Sequence, residues 1–205
     1  MKIPFPKDRK VYLSGMINEE RAHEVIKQII EIRQADQELA FIHKQMGGNY
    51  IPNPIELYIS SFGGGVYQFL GIVAVMEAKD ETPVDTYCFS YAMSGGFIVF
   101  ISGATRHATR HTTFMTHLIN NMTMGNLNEL IIDVKECVRL QNIMEDIILR
   151  NTKIQPAILR KKHDKGDWFI APMEAKKLGI VDGWLVTNQP ETKRKTVTPV
   201  ATSET

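Results

Sequence analysis

The chain has 205 residues, 43% of them hydrophobic and 23% charged, with a formal net charge of +1. That balance is ordinary for a soluble globular chain long enough to bury a core, with one domain as the default. The near-neutral charge excludes the strong electrostatic pull toward nucleic acid or a membrane surface that a basic chain would carry.

The opening MKIPFPKDRK has charge and proline but no apolar run, so no secretory signal is expected. KVYLSG at 10–15 predicts a short strand ended by glycine. From Glu19, the residues Ala22, Val25, Ile26, Ile29 and Ile30 recur on one helical face, with Asn18 as N-cap. QMGGNYIPNP at 45–54 is a loop by composition. IELYIS at 55–60 is a strand, SFGGG at 61–65 a sharp turn, and Val66, Leu70, Val73, Ala74 and Met76 mark a second helix. TPVDTYCFS at 82–90 holds a third strand, and Phe97 to Ile101 is apolar on every side, as a buried helix would be. The twenty uncharged residues from Thr86 to Thr105 have the length of a membrane span. Their serines and glycines split them instead into strand, turn and helix, with Gly103 as the stop.

TTFMTH at 112–117 is a strand, and a long helix follows. Asn126 and Glu129 form a capping-box pattern, and an apolar stripe runs from Leu127 through Ile148. That stripe offers more apolar surface than one side needs, so it serves either its own core or a partner. Pro156 and Pro172 each open a short helix, Gly179 ends the second, and IVDGWLV at 180–186 is the last strand. The stretch after Asn188 has little to bury and reads as disordered. Alternating strands and helices predict an α/β fold around a largely parallel sheet, with sites where strands end and helices begin. The two cysteines, Cys88 and Cys137, are expected as buried thiols in a reducing, cytoplasmic setting.

Three features fall at such strand ends. The glycines of SFGGG can point backbone N–H groups at an anion, but no G-x-x-x-x-G-K-[ST] loop occurs, which argues against an NTPase of that type. Ser94, in YAMSGGF, sits where a strand-turn-helix would expose a hydroxyl, with the Gly95 N–H beside it; close packing is the competing explanation. A nucleophilic serine needs a base. Of six histidines, His117 alone closes an alternating strand. His107 and His111 lie in the basic ATRHATRHTT, read as a solvated loop rather than a metal site, and His163 lies in a charge run. An aspartate should orient the imidazole. Asp133, Asp146, Asp164, Asp167 and Asp182 all follow, and spacing does not choose among them.

Five segments in order (VYLSGMIN, LYISSFGGGV, YAMSGGF, FMTH and GDWFIAPMEAKKLGIVD) resemble the proteolytic subunit of the Clp protease, a serine peptidase family. The resemblance spans roughly residues 10 to 186. It implies a spiral of β-β-α units, shared with crotonases, with a protruding handle helix. It implies a peptidase domain over 1–187 and a tail over 188–205. It assigns Ser94 as nucleophile, His117 as base and Asp167 as the orienting aspartate, with the N–H groups of Gly63 and Gly95 as oxyanion hole. No metal or cofactor is required. It further implies a homo-oligomer of two stacked seven-membered rings joined through the helix around Asn126 to Arg150. Protein or peptide substrates would be fed by a separate AAA+ chaperone.

The sequence also departs from the family pattern. Only about ten residues precede VYLSG, so a wider pore and no propeptide are expected. The segment from Ala35 to Pro54 is longer than usual. Glu56 and Ala78 stand where docking aromatics are usual, which weakens docking of an ordinary chaperone. LINNMTMGN replaces a Gln-Pro and a glycine pair after the histidine. Gly95 replaces a methionine, and Ala171 replaces an N-cap serine. The alternatives are a non-catalytic ring scaffold or regulatory subunit and a crotonase-type acyl-CoA enzyme.

Overall fold

A computed structural model describes residues 8–79 and 81–185, so the expected tail after Asn188 and the end of the last predicted strand lie outside the described residues. The order is β1 (Lys10–Ile17), α1 (Glu19–Gln45), β2 (Ile55–Gly64), α2 (Val66–Met76), β3 (Val84–Met93), α3 (Gly95–Ile101), β4 (Arg106–Ala108), β5 (Thr113–Thr116), α4 (Leu127–Asn151), α5 (Pro156–His163), β6 (Trp168–Ile170), α6 (Pro172–Lys177) and β7 (Gly183–Trp184). This is the α/β architecture expected from the alternating pattern.

β1 and β2 alternate because one face must be dry. Val11, Leu13, Ile55, Leu57 and Ile59 point inward, while Tyr12, Tyr58 and Lys10 point out. The strands β1-β2-β3-β4-β7 pair in parallel, and α1, α2 and α3 make the crossovers that parallel pairing requires. The long strand β3 forks. Thr86 to Cys88 pair with β4, whereas Tyr91 to Met93 pair with β5. β6 closes the far side of β5 in antiparallel register, Thr116 opposite Trp168. Every residue of α3 is buried, and Phe69, Phe97, Phe100 and Phe114 meet in the core around it. The stretch from Thr86 to Thr105 is therefore strand, turn and a buried helix. Among the described residues, no helix is long and apolar enough to cross a membrane.

Four boundaries differ from the expectation. β2 runs on through Gly64 instead of turning at Ser61, because a register shift after Ile59 and positive φ at Gly63 and Gly64 let the strand bend while staying paired. Within the stretch expected as a solvated loop, Arg106–Ala108 forms β4, where Arg106 is clamped by Asp182 at 2.7 Å. β6 is only three residues and carries no periodic signal. The last strand shrinks to Gly183–Trp184 within the described residues, although Ile180 and Val181 are buried. Of the two cysteines, Cys88 is buried and its thiol is pushed up to about 12 by burial, while Cys137 is only half-buried.

α4 begins at Asn126, whose side chain accepts from the Asn128 and Glu129 N–H groups while Glu129 reaches back, a complete capping box. Only its second half packs on the body, through Leu140, Met144, Ile147 and Ile148. Leu127, Ile131, Ile132, Val134 and Val138 in the first half are exposed.

The long α1 is anchored by a buried carboxylate. Arg9 donates to both Asp36 oxygens at 2.8 and 2.9 Å, and Thr82 and Tyr50 donate at 2.7 and 3.0 Å. Burial alone would raise the Asp36 pKa, but these bonds outweigh it and hold the group below its ordinary 3.8. Asp36→Asn is expected to cost about 2–4 kcal/mol near neutral pH, because it leaves the Arg9 guanidinium unpaired. A depressed native pKa contributes stability above the unfolded value, so the gap is full above about pH 4 and closes as pH falls through the native value. Urea midpoints of both chains from about pH 7 down to about pH 2 check this, and a gap constant across that range contradicts it.

Candidate active site

The fork in β3 brings three strand ends to one point. β3 ends at Met93, β5 lies beside it with Met115 opposite Met93, and β6 lies on β5 with Trp168 opposite Thr116. One residue past those partners come Ser94, His117 and, before Trp168, Asp167. Parallel register sets Ser94 level with Thr116, one residue before His117, and antiparallel register sets Asp167 across from His117.

Ser94 is the one non-glycine residue with positive φ among the described residues, at φ 51° and ψ −123°. A β-carbon in that region is strained, and such strain persists only where the surroundings over-determine it. Here the Ser94 N–H donates to Met115 O at 2.8 Å, and the Ser94 carbonyl accepts from Phe97 and Ile98 at 3.0 and 3.1 Å. The side chain is thereby turned away from the sheet toward His117. Ser94 Oγ and His117 Nε2 are 2.8 Å apart, a distance at which an imidazole can take a hydroxyl proton.

On the other side of the ring, the nearest Asp167 oxygen is 4.0 Å from Nδ1, and the Asp167 side chain is 55% exposed. That is an ion-pair contact rather than a hydrogen bond. Of the five candidate aspartates it is the one with such a contact to His117; Asp133 bonds Thr123, Asp146 pairs with Arg150 and Asp182 with Arg106. Asn120 lies within hydrogen-bond distance of Nδ1, its Nδ2 3.3 Å away.

The end of β2 passes directly over this turn. A Cβ on Gly63 would lie 2.7 Å from the Gly95 nitrogen and 2.7 Å from Ser94 Cβ, so no other residue fits. The Gly63 N–H donates to Ser61 Oγ at 3.1 Å, and Ser61 donates in turn to Gly15 O at 2.6 Å. Gly95 opens α3, so its N–H belongs to the first turn, where no helical carbonyl precedes it. A Cβ on Gly95 would lie 2.4 Å from Phe69 Cδ1, and one on Gly96 would lie 2.9 Å from Ser61 O. The glycine pair thus serves close packing at the same residues that hold out the serine. Beside Ser94 and His117 opens a cleft of about 270 Å³, walled by Met16, Phe62, Val66, Phe69, Ile119 and Met144.

His107 sits in β4, stacked on Tyr87 and bonded to Thr105 Oγ1 at 2.9 Å. His163 is 4% exposed, its Nε2 3.2 Å from Thr116 Oγ1, and burial pushes it below its ordinary value, so it backs the histidine strand as a neutral ring. Three participants were not singled out from sequence. Ser61 and Phe69 look like ordinary strand and helix residues, and only the glycines that they press upon carry the signal. Asn120 lies in the segment where the pattern after the histidine breaks, which was its only mark.

The family model described as Clp protease matches residues 4–188. Among solved structures, a ClpP1 point mutant from Listeria monocytogenes superposes with a TM-score of 0.71 at 23% sequence identity, covering 88% of this chain and 93% of its own. At that identity the structural likeness speaks for the fold, and the family match over most of the length speaks for descent. The chain therefore belongs to the Clp protease family.

Proposed function

We propose that this Clp protease family chain is an active serine endopeptidase that cleaves unfolded proteins and peptides through an acyl-enzyme. The observation that carries the proposal is the 2.8 Å contact between His117 Nε2 and the hydroxyl of a serine held at φ 51°. A structural serine needs neither that strain nor an imidazole at its oxygen.

In this reading Ser94 Oγ attacks the peptide carbonyl while its proton passes to His117 Nε2. The protonated ring then gives the proton to the leaving amine, and a water activated by the same nitrogen releases the acyl group. The Asp167 carboxylate stabilises the imidazolium that forms. The Gly95 N–H faces the developing oxyanion, and the Gly63 N–H joins it on leaving Ser61 Oγ; each such donor is worth about 3 kcal/mol. The buried Cys88 thiol, pushed up to about 12, is unsuited as a competing nucleophile.

The assembly belongs to the same proposal. Exposed Leu127, Ile131, Ile132, Val134 and Val138 give the first half of α4 an apolar face with no partner among the described residues. Covering that face across two stacked seven-membered rings encloses the site in a chamber. Unfolded chains would enter that chamber from an AAA+ chaperone. The chaperone face is altered, since Glu56 accepts from the Tyr58 hydroxyl at 2.7 Å and Ala78 is exposed.

The lining of the cleft supports preference for an apolar side chain just before the cut bond, as burying a charge there without a partner is costly. Three outcomes follow. Intact mass after fluorophosphonate treatment is expected to show one adduct per chain on the assembled wild type and none on Ser94→Ala. An unlabelled double ring would favour the scaffold alternative. Among matched peptides, Leu or Met before the cut should exceed Asp by about 100-fold or more in kcat/KM. Phe69 occupies the room of a residue-95 side chain, so Gly95→Met alone should lower this rate and the melting temperature. Gly95→Met combined with Phe69→Ala should recover much of both in a double-mutant cycle; additivity would contradict the shared space.

A further inference from the structure

We propose that Asn120 is a positioning residue for His117, holding the ring from its Nδ1 side where Asp167 does not reach. The inference rests on the peptidase reading of Ser94 and His117. It begins with a requirement of the chemistry. A histidine that accepts a serine proton must present a bare Nε2, so the single proton of the neutral ring has to sit on Nδ1 and find an acceptor there. Asp167 is the natural acceptor, but its nearest oxygen stands 4.0 Å away on a side chain 55% exposed, where attraction is screened and orientation weak. The Asn120 carboxamide stands at 3.3 Å from the same nitrogen.

A carboxamide has a donating end and an accepting end of the same shape. With Nδ2 turned to Nδ1, the ring nitrogen would accept, which places the imidazole proton on Nε2, where the ring cannot take the Ser94 proton. With Oδ1 turned to the same place, Asn120 accepts from Nδ1–H and leaves Nε2 free to take the Ser94 proton. The half-turn of one exposed side chain therefore separates an idle from a working tautomer, with Asp167 supplying charge from farther out. The placement of Asn120 is not incidental to a floppy loop. The preceding residue donates its N–H to Gln141 Oε1 at 3.0 Å, and the following Asn121 donates to Cys137 Sγ at 3.2 Å, so residues 119 to 121 are strapped to α4.

The test uses the full assembled chain with Asn120→Ala, Asn120→Asp, Asp167→Ala and the double Ala variant. The readouts are the rate of fluorophosphonate labelling against pH and the imidazole ¹⁵N spectrum of His117, assigned by its loss in His117→Gln. Asn120→Ala should slow labelling roughly tenfold and mix the His117 tautomers, with melting temperature and assembly size unchanged. Asn120→Asp should restore the rate and move the acid limb of the profile upward by roughly one pH unit, since an anion at that place stabilises the imidazolium. Asp167→Ala should keep labelling that the double variant loses. A role confined to the cleft wall would raise KM for peptides and leave small-probe labelling and the spectrum unmoved.

Labelling within twofold of wild type and an unmoved spectrum in Asn120→Ala overturn the inference. Equal defects in Asn120→Asp and Asn120→Ala, with no shift of the profile, overturn it as well. A wild type that never labels sinks the peptidase reading. In that case the spectrum alone decides: a tautomer shift in Asn120→Ala upholds the positioning contact, and its absence removes both.

Discussion

The site depends on a single close approach, the end of β2 lying on the turn between β3 and α3. Side chains keep neighbouring backbones farther apart than the 2.7 Å that a Cβ on Gly63 would have to the Gly95 nitrogen, and glycine removes that limit. Gly64 does the same for β1, where a Cβ would meet Ile17 O at 2.2 Å. With the strands this close, Ser61 reaches both Gly15 and Gly63, and Phe69 fills the hollow over Gly95. Ser94 is left without a relaxed conformation. It is held at φ 51° by bonds at its N–H and its carbonyl, and its side chain has one direction left. Close packing and the outward placement of the Ser94 hydroxyl are therefore two consequences of the same contact, not rival explanations of the glycine pair.

Charge is distributed sparingly around this point. Among the described residues, the walls of the cleft are mostly apolar and carry no carboxylate, lysine or arginine, burial pushes His163 behind the histidine strand toward its neutral form, and Asp167 is exposed beside His117. In the proposed reaction, a charge on His117 has Asp167 as its contacting counter-charge, and that carboxylate is largely in water. Hydrogen-bonding groups that need no charge become correspondingly valuable for orienting the ring. This is why an amide at 3.3 Å carries weight beside a carboxylate at 4.0 Å.

Much of this was legible in the sequence because the signals were local. Alternation in KVYLSG and IELYIS, the apolar run from Phe97 to Ile101 and the Asn126–Glu129 cap each encode an element by itself, and each element appears, β2 running on past its expected end to Gly64. The order of motifs around Ser94, His117 and Asp167 pointed to the family. What was not legible depends on contacts between distant residues. β4 and β6 are three residues each and exist only because β3 and β5 offer them an edge. Nothing in SFGGG tells a turn from a strand that bends while paired; the register of β1 and β3 decides it. His163, within a run of charges, looked like a solvent residue, yet the one-sided helix α5 turns it inward.

The same distinction explains how the site answers to α4. Among the described residues, the first half of that helix has no core behind it, and its apolar side chains are exposed. The segment after His117 is tied to it at three places, Ile119 to Gln141, Asn121 to Cys137 and Thr123 to Asp133. This segment carries the cleft wall at Ile119 and the amide at Asn120. Restraint on α4 is passed through these bonds to the segment that carries Asn120, while Ser94 is held separately by its N–H bond to Met115 O. A surface that covers α4 consequently acts on one half of the Ser94–His117 pair and not the other. Under the proposed peptidase reading and assembly, such a split would let an interface tune the alignment of His117 while the sheet holds Ser94.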